Sequence, residues 1–164
     1  MSSATISIRP ATVADGAAVL DLAPRLTEGV APWRDRGRAL AAARSWLTGS
    51  LTDAAAGTGI VFVAAVPPAV TVVGVLSIRP TRHFTGEQDG YIGELAVAEH
   101  AARQGIGRAL IDAAETWARD AGLTNLTLHT GSYNASARAF YAALGFAEEE
   151  VRLTRPVSAA ITPE

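Results

Sequence analysis

Residues 91–122 limit the fold of this chain more than any other stretch, because they place glycines between a buried strand and a helix. Residues 91–97 (YIGELAV) are apolar enough for a mostly buried strand. Residues 106–121 have the apolar spacing of a helix, and the turn 102–108 (ARQGIGR) joins the two segments. The sequence therefore predicts a strand that runs through glycines into a helix.

This order of elements is suited to binding an anion. Gly105 and Gly107 let the backbone approach a ligand closely, and the start of the following helix offers unpaired N–H groups and a partial positive charge. Glycines also serve tight turns and close packing, so this pair alone does not establish a phosphate site.

Two common nucleotide motifs do not fit the turn. The third glycine of the dinucleotide fingerprint would fall at Leu110, and no acidic residue closes a second strand about 20 residues later. The Walker loop requires Gly-Lys-Ser/Thr, but this chain has Gly107-Arg108-Ala109.

Composition indicates one domain, predicted over residues 1–156 with a loose tail at 157–164. The net charge of −2 gives no electrostatic reason to expect nucleic-acid binding. The chain has no cysteine, which excludes disulfides, a thiolate nucleophile and cysteine-ligated zinc, and no metal is expected. Neither a signal peptide nor an apolar run of roughly 20 residues is present, so we expect a soluble cytoplasmic protein without a membrane partner.

Local patterns predict the order β-α-α-β-β-β-α-β-α-β, a mixed sheet with helices on its faces. The predicted strands cover 5–9, 60–66, 70–79, 91–97, 125–130 and 151–155, and the predicted helices cover 12–22, 35–47, 106–121 and 134–144. Thr12 and Asp15 resemble a capping box. Pro67 and Pro68 separate the arms of a hairpin, and residues 80–90 are predicted to be a polar loop.

The turn and the later block 134–146 (NASARAFYAALGF) together resemble the GNAT superfamily of acyl-CoA-dependent N-acyltransferases. The first motif of that family is a strand followed by Gln/Arg-x-x-Gly-x-Gly/Ala at a helix start. Its second motif carries Asn-x-x-Ala-x-x-Phe-Tyr and Leu-Gly-Phe. Ala102 departs from the first motif, where the family usually has Gln or Arg, and Arg103 stands beside it.

The resemblance implies a mixed α/β fold, with a mostly antiparallel sheet, helices on both faces and a splayed pair of parallel central strands. In such a fold the pantetheine arm of acetyl-CoA lies between the splayed strands, and its pyrophosphate rests on the glycine turn. Asn134 is implied as a contact of the arm, or it is simply a helix N-cap. The other implied cofactor-binding residues are Leu95, Ala96, Val97, Arg103, Gln104, Gly105, Ile106, Gly107 and Arg108.

The resemblance also implies catalytic roles. Tyr141 corresponds to the general acid that protonates the departing thiolate, and the alternative is an aromatic that covers the core. The N–H of Leu95 is the implied oxyanion donor. Glu94 is the candidate for removing the amine proton, and the alternative is a buried or edge carboxylate paired with an arginine. Weaker candidates from the preceding loop are His83, Glu87 and Asp89, and His129 on the other splayed strand could line the pocket.

The function implied is an acetyl-CoA-dependent N-acetyltransferase, acting on a primary amine by direct attack in a ternary complex. Two alternatives stay open: a non-catalytic acyl-CoA-binding or sensing domain, and an enzyme for a protein N-terminus or lysine. Acceptor choice is expected to depend on residues 27–34 and 80–90, with Trp33 and Phe84 as candidate walls. Homodimers are a habit of the family, and the strand from Val151 is the element that would support one.

Overall fold

The computed structural model describes residues 6–67 and 71–157. The predictions made for Thr5, Pro68, Val70 and the tail from Ser158 lie outside these residues. The strands are β1 (Ser7–Pro10), β2 (Ile60–Val66), β3 (Thr71–Arg82), β4 (Gln88–Val97) and β5 (Asn125–Leu128). The helices are α1 (Gly16–Leu20), α2 (Arg36–Ala55), α3 (Ile106–Asp120) and α4 (Ala135–Ala143), with short 3-10 helices at Val13–Asp15, Ala23–Thr27 and Glu99–Ala101.

The strands form one sheet in the order β1-β2-β3-β4-β5. Neighbouring strands are antiparallel except for β4 and β5, which run parallel. This parallel pair requires a crossover, which α3 provides between the two strands. The predicted mixed, mostly antiparallel α/β fold is confirmed.

The parallel pair opens along its length. Pairing between β4 and β5 ends at Ile92 and Leu128, whereas β4 continues to Val97. The N–H of Ala98 donates to Val73 of β3, so the alternation of a strand directs the N–H groups of Leu95 and Val97 to the opposite, opened edge. These backbone donors therefore border the gap between the splayed strands.

Each face of the sheet carries its own core. On one face, which we call the α3 face, Leu76, Ile78 and Ile92 pack with α3, including Ile106 and Leu110. On the other, the α2 face, the buried residues are Val61, Val63, Val75 and Ala96 with Ala43, Leu47 and parts of the first helical segment. Side chains that alternate along β4 and β5 are thus divided between two environments.

The N-terminal helical segment begins as predicted. The capping box of Thr12 and Asp15 is present, but only Gly16–Leu20 is α-helical, because 3-10 turns lie on both sides. Asp35 caps α2 through its side chain, which accepts from the N–H of Arg38 at 2.7 Å. The predicted end of α2 at Leu47 was wrong, since the helix continues to Ala55 and Leu51 still packs against the α2-face core.

The polar loop predicted at residues 80–90 was too long. Pro80, Thr81 and Arg82 of β3 pair with Gly90, Asp89 and Gln88 of β4, so only a tight turn remains. Polar residues are compatible with a hairpin arm that faces solvent, which is why polarity alone gave the wrong boundary.

The strand predicted at 151–155 is not formed. Residues 147–157 have no strand or helix, and the side chains of Val151 and Leu153 are 77% and 88% exposed. Alternating apolar residues form a strand only when a sheet edge pairs with them, and here none does so within the described residues. The homodimer expected at this segment stays a prediction.

Candidate active site

The glycine turn before α3 is shaped as an anion site. Gly105 has φ +80° and forms the N-cap of α3, and a Cβ built on it would meet no atom within 4 Å. Arg103 is the only non-glycine residue with positive φ in the described part of the chain, at +62°. Such a left-handed residue costs about 1–2 kcal/mol. The rest of the fold therefore stabilises the strained conformation of this turn. Open space remains beside Gly105.

The amides of this turn have no acceptor in the part of the chain that the structure describes. Across the described residues, no backbone N–H from Arg103 to Arg108 donates a hydrogen bond to a protein group, and the first such bond is from Ala109 to the carbonyl of Gly105. These donors lie at a helix N-terminus, where a phosphate is favoured. The turn thus has the free donors of an anion site.

Gly107 has a different role. A Cβ at this position would lie 3.1 Å from Cζ of Phe140, which is closer than ordinary van der Waals contact. The glycine therefore allows α4 to pack against the start of α3. This packing links the turn to the helix that carries Tyr141.

Tyr141 lies in an apolar setting. Its ring makes edge-to-face contacts with Phe140 and Phe146, with centroids 5.2 Å and 5.5 Å apart. Burial raises the pKa of Tyr141 to about 12. Its Oη has no hydrogen-bond partner among the described residues. In these residues every fully buried side-chain polar atom has a partner, so Oη is not fully buried. It is open to the cleft described below.

Glu94 is 6% exposed and lies on the α2 face beside Ser50, opposite Leu95. A register shift between β3 and β4 at Leu76 and Ile78 explains why Ile92, two residues before Glu94, faces α3. Its Oε2 accepts hydrogen bonds from Ser50 Oγ at 2.7 Å and from Ser77 Oγ, and the N–H of Glu94 donates to Ser77 Oγ at 3.1 Å. The partners of this carboxylate are thus hydroxyls, and no arginine pairs with it among the described residues. Glu94 does not line the cleft.

Asn134 caps α4, as the alternative interpretation expected. Its Oδ1 accepts from the N–H of Ala137 at 3.0 Å, and its Nδ2 donates to the carbonyl of Glu28 at 3.3 Å. A Cβ on Gly131 would lie 2.3 Å from the carbonyl oxygen of Gly29, so the loop after β5 contacts the loop before α2 through bare backbone. Its contact with the cofactor arm stays a prediction.

An open cleft of about 2290 Å³ is lined by Tyr141, but not by the glycine turn, Glu94 or Asn134. Trp33 and Tyr133 form part of its wall, with ring centroids 5.8 Å apart at 85°. Tyr91 and His129 also line it, and Tyr91 Oη lies 3.3 Å from His129 Nδ1. Tyr141 borders the same space.

Sequence reasoning missed the pairing of Tyr91 with His129 and of Trp33 with Tyr133. Burial, above all, raises the pKa of Tyr91, while the guanidinium of Arg79, which lies 5.2 Å from its ring centroid, acts in the opposite direction. Strand alternation would have placed Tyr91 on one face, but only the register of β4 and β5 brings it to His129.

The weaker candidates make local contacts. His83 Nδ1 lies 2.6 Å from Thr85 Oγ1, which donates to Glu87 Oε2 at 2.7 Å. Asp89 is buried and accepts from Asn125 Nδ2 at 2.9 Å. Phe84 is 87% exposed, so it walls the cleft loosely.

Two negative findings apply to residues 6–67 and 71–157. No group of three or more His, Cys, Asp or Glu side chains is placed to hold a metal ion. No helix there combines the length and apolar character needed to cross a membrane.

Solved structures share this fold. A putative acetyl transferase from Pyrococcus furiosus superposes with a TM-score of 0.75 at 20% identity, over 93% of this chain and 100% of that one. An aminoglycoside N-acetyltransferase in complex with CoA gives 0.69 at 18% identity, over 94% and 97% of the two chains. Glucosamine-6-phosphate N-acetyltransferase from Arabidopsis thaliana gives 0.68 at 12% identity, over 94% and 99%.

At these identities the structural likeness shows the fold alone, and no curated protein matches the chain in sequence. A family model adds sequence evidence. The model described as the acetyltransferase (GNAT) family matches residues 25–146, which include the glycine turn, Glu94, Asn134 and Tyr141. The chain therefore belongs to the GNAT family of acetyltransferases.

Proposed function

We propose that this chain is a cytoplasmic N-acetyltransferase that transfers an acetyl group from acetyl-CoA to a primary amine by direct attack in a ternary complex. The observation that carries the proposal is the row of unpaired amides from Arg103 to Arg108 beside a gap between parallel strands. Family membership supports acetyl transfer, and the absence of cysteine from the sequence removes a thiol-linked acyl-enzyme.

In this proposal the turn holds the diphosphate of CoA. The amides of Arg103, Gln104, Gly105, Ile106, Gly107 and Arg108 supply donors. Arg103 and Arg108 add positive charge, since neither forms an ion pair within the part of the chain described. The opened edge at Leu95, Ala96 and Val97 receives the pantetheine arm, and Asn134 contacts it from α4.

One existing bond limits how the arm can pair. The carbonyl oxygen of Val97 accepts from Arg25 Nε at 2.9 Å. The N–H groups of Leu95 and Val97 are free of such a partner in the described residues, so donation from β4 to the arm is the available mode.

Acetyl-CoA, when bound, provides the thioester, and the chain supplies two groups for the chemistry there. The N–H of Leu95 donates to the oxygen on which negative charge develops. Tyr141 donates a proton to the departing sulfur. The raised pKa of Tyr141 keeps this phenol protonated, and therefore able to donate, at all physiological pH values.

Glu94 is the sequence-based candidate for the remaining step, the removal of a proton from the amine. Because Ser50 and Ser77 cover its Oε2, Glu94 would act through a hydroxyl or a water molecule. Direct contact between this carboxylate and the acceptor is not part of the proposal.

The acceptor is a small-molecule or peptide amine. The structural neighbours named for aminoglycosides and glucosamine 6-phosphate show that one fold serves chemically different amines. Here the open form of the cleft favours a bulky acceptor, and it also makes a peptide amine the second candidate.

The test combines turnover with binding. Release of free CoA from acetyl-CoA is measured with kanamycin, glucosamine 6-phosphate, spermidine, 2-phenylethylamine and a tetrapeptide with a free N-terminus. We expect at least one amine to be acetylated, and Tyr141→Phe to lower kcat about 100-fold. Calorimetry should give the same Kd for CoA in both proteins.

Binding of CoA without turnover of any amine would instead favour the non-catalytic binding or sensing domain. Absence of CoA binding up to millimolar concentration would refute both.

A further inference from the structure

The point where β4 and β5 separate carries a titratable pair that has no part in the proposed chemistry so far. Pairing of the two strands ends at Ile92 and Leu128, and His129 is the next residue of the chain. Tyr91, next to Ile92, approaches the imidazole with Oη 3.3 Å from Nδ1, and the ring centroids lie 5.7 Å apart.

Both side chains lie on the α2 face of the sheet. Ile92, Leu126 and Leu128 pack in the α3-face core. Since side chains alternate along a strand, Tyr91 and His129 project to the opposite face, where α2 lies. Tyr141 packs with the α3-face core instead. An amine that attacks from the α2 face would thus meet Tyr91 and His129. The thiol would leave on the other side of the gap, toward Tyr141.

His129 differs from Glu94 in access. His129 is exposed and lines the cleft, whereas Glu94 is 6% exposed, does not line the cleft and accepts at Oε2 from Ser50 and Ser77. A general base needs hydrogen-bond reach of the proton it removes, either directly or through one water molecule. An imidazole is also the side chain whose charge ordinarily changes between about pH 5 and 8.

We propose that His129, oriented by Tyr91, is the immediate acceptor of the proton that leaves the attacking amine. This inference rests on the proposed function. Nδ1–H donates to Tyr91 Oη, and this tautomer leaves the lone pair of Nε2 free for the cleft. The 3.3 Å separation is long, as catalytic hydrogen bonds often are without substrate.

The step balances without any further reagent. The nitrogen lone pair forms the N–C bond to the acetyl carbon, the C–S bond breaks, and the sulfur takes a proton from Tyr141. The amine proton moves to Nε2 of His129, which becomes imidazolium. Tyr91 is a positioning residue, because its oxygen accepts from Nδ1–H in both charge states.

Charged groups from several elements surround the pair. Arg79 of β3 lies over the Tyr91 ring, and Glu94 acts on Tyr91 from β4. The other charged residues that line the cleft near α2, α4 and the C-terminal segment are Arg34, Asp35, Arg38, Arg138, Glu148, Glu149, Glu150 and Arg152. Arg138 forms an ion pair with Glu148, so these two charges offset each other.

The kinetic test uses the best amine of the panel above. We expect His129→Gln to lower kcat at pH 7 by about 100-fold and to abolish the acid limb of the kcat profile, measured with saturating amine so that protonation of the free amine does not contribute, with the Kd of CoA changed less than twofold. Tyr91→Phe should lower kcat about fivefold and retain the limb. Glu94→Gln should also retain it, and His100→Gln, an exposed histidine outside the site, is the matched control.

The second test needs no acceptor. Nitrogen-15 NMR of the free protein identifies the neutral tautomer of each ring, and the three histidines are assigned by single replacement. We expect Nδ1–H at His129 in the wild type and a shift toward Nε2–H in Tyr91→Phe.

The outcomes separate the two proposals. An Nε2–H tautomer in the wild type, or an acid limb that survives in His129→Gln but disappears in Glu94→Gln, overturns the role of His129 alone. Failure of every amine to be acetylated while CoA still binds overturns the proposed function and this inference together.

Discussion

At the scale of single residues, two glycines show how the same side-chain change acts differently in two backbone conformations. Gly105 has φ +80° at the N-cap of α3, whereas Gly49 lies within α2, and a Cβ at either position would meet no atom within 4 Å. Any difference between alanine substitutions there comes from the backbone and not from a clash.

We expect Gly105→Ala to destabilise the protein by about 1 kcal/mol, because alanine is strained in the left-handed region. Gly49→Ala should stabilise it by about 0.5–1 kcal/mol, because alanine is the better helix former. Urea denaturation measures both. If both substitutions changed the free energy of unfolding in the same direction, that result would contradict the assigned conformations.

Tyr141 gives a prediction about pH. Burial raises its pKa to about 12, so the neutral phenol persists well above the pH at which a free tyrosine ionises. We therefore expect no alkaline loss of kcat from Tyr141 up to about pH 10. The measurement is kcat from pH 7 to 10 with folding monitored by circular dichroism. An alkaline limb that is present in the wild type and absent from the residual activity of Tyr141→Phe would refute it.

At the scale of elements, contacts between loops decide which parts of the chain meet at the cleft. The loop before α2 and the loop after β5 approach through Gly29 and Gly131, and Asn134 joins them by its bond to the carbonyl of Glu28. Neither loop shows a pattern from which this contact could have been predicted, since glycine has no side chain and the partners are about 100 residues apart.

Gly131→Ala should separate these two loops. Its Cβ would lie 2.3 Å from the carbonyl oxygen of Gly29, a backbone atom that cannot rotate away. We expect a loss of about 2 kcal/mol in unfolding free energy, within the range of overpacking. Gly16→Ala, where a Cβ meets nothing within 4 Å, is the control. An unchanged stability in Gly131→Ala would show that the contact does not persist in solution.

The junction of β1 with the first helical segment depends on Asp15. Its carboxylate accepts from Arg9 at 2.7 and 2.9 Å and from the N–H and Oγ1 of Thr12 at 2.7 and 2.9 Å. The hydrogen bond with Arg9, above all, holds the pKa of Asp15 far below its usual range. The capping box was readable from sequence, but the arginine partner was not.

At low pH, Asp15 takes up a proton more readily in the unfolded chain than in the folded chain. The stabilisation is therefore complete above about pH 5 and decreases as pH falls toward the folded pKa. We expect Asp15→Asn to cost about 2 kcal/mol at pH 7 and to reduce the acid sensitivity of unfolding below pH 4. Urea denaturation at both pH values is the measurement, and parallel pH profiles for the two proteins would contradict this role.

At the scale of the whole molecule, the proposed site joins three elements that are separated along the chain. The turn before α3, the opened edge of β4 and the start of α4 come together only because α3 crosses from β4 to β5 and Gly107 admits Phe140. A ligand held by all three should therefore stabilise the fold as a unit.

CoA at 100 times its Kd should raise the free energy of unfolding by about 2.7 kcal/mol, since it binds only the folded state. Thermal denaturation with and without CoA measures this. Arg103→Ala and Arg108→Ala should reduce the gain by weakening the site. Arg36→Ala, at an exposed position in the first turn of α2, is the control. An equal gain in all four proteins would exclude both arginines from the site.

The sequence by itself determined the features that depend on neighbouring residues. These include the capping box at Thr12, the N-cap at Asn134, the strand-turn-helix around Gly105 and, through two motifs, the family. Only the tertiary structure decided the end of β4–β5 pairing, the burial of Glu94 under two serines, the meeting of Tyr91 with His129 and the failure of residues 151–155 to form a strand. The physical reason is that register, burial and strand pairing depend on partners far away in the chain, whereas caps and turns are satisfied within a few residues.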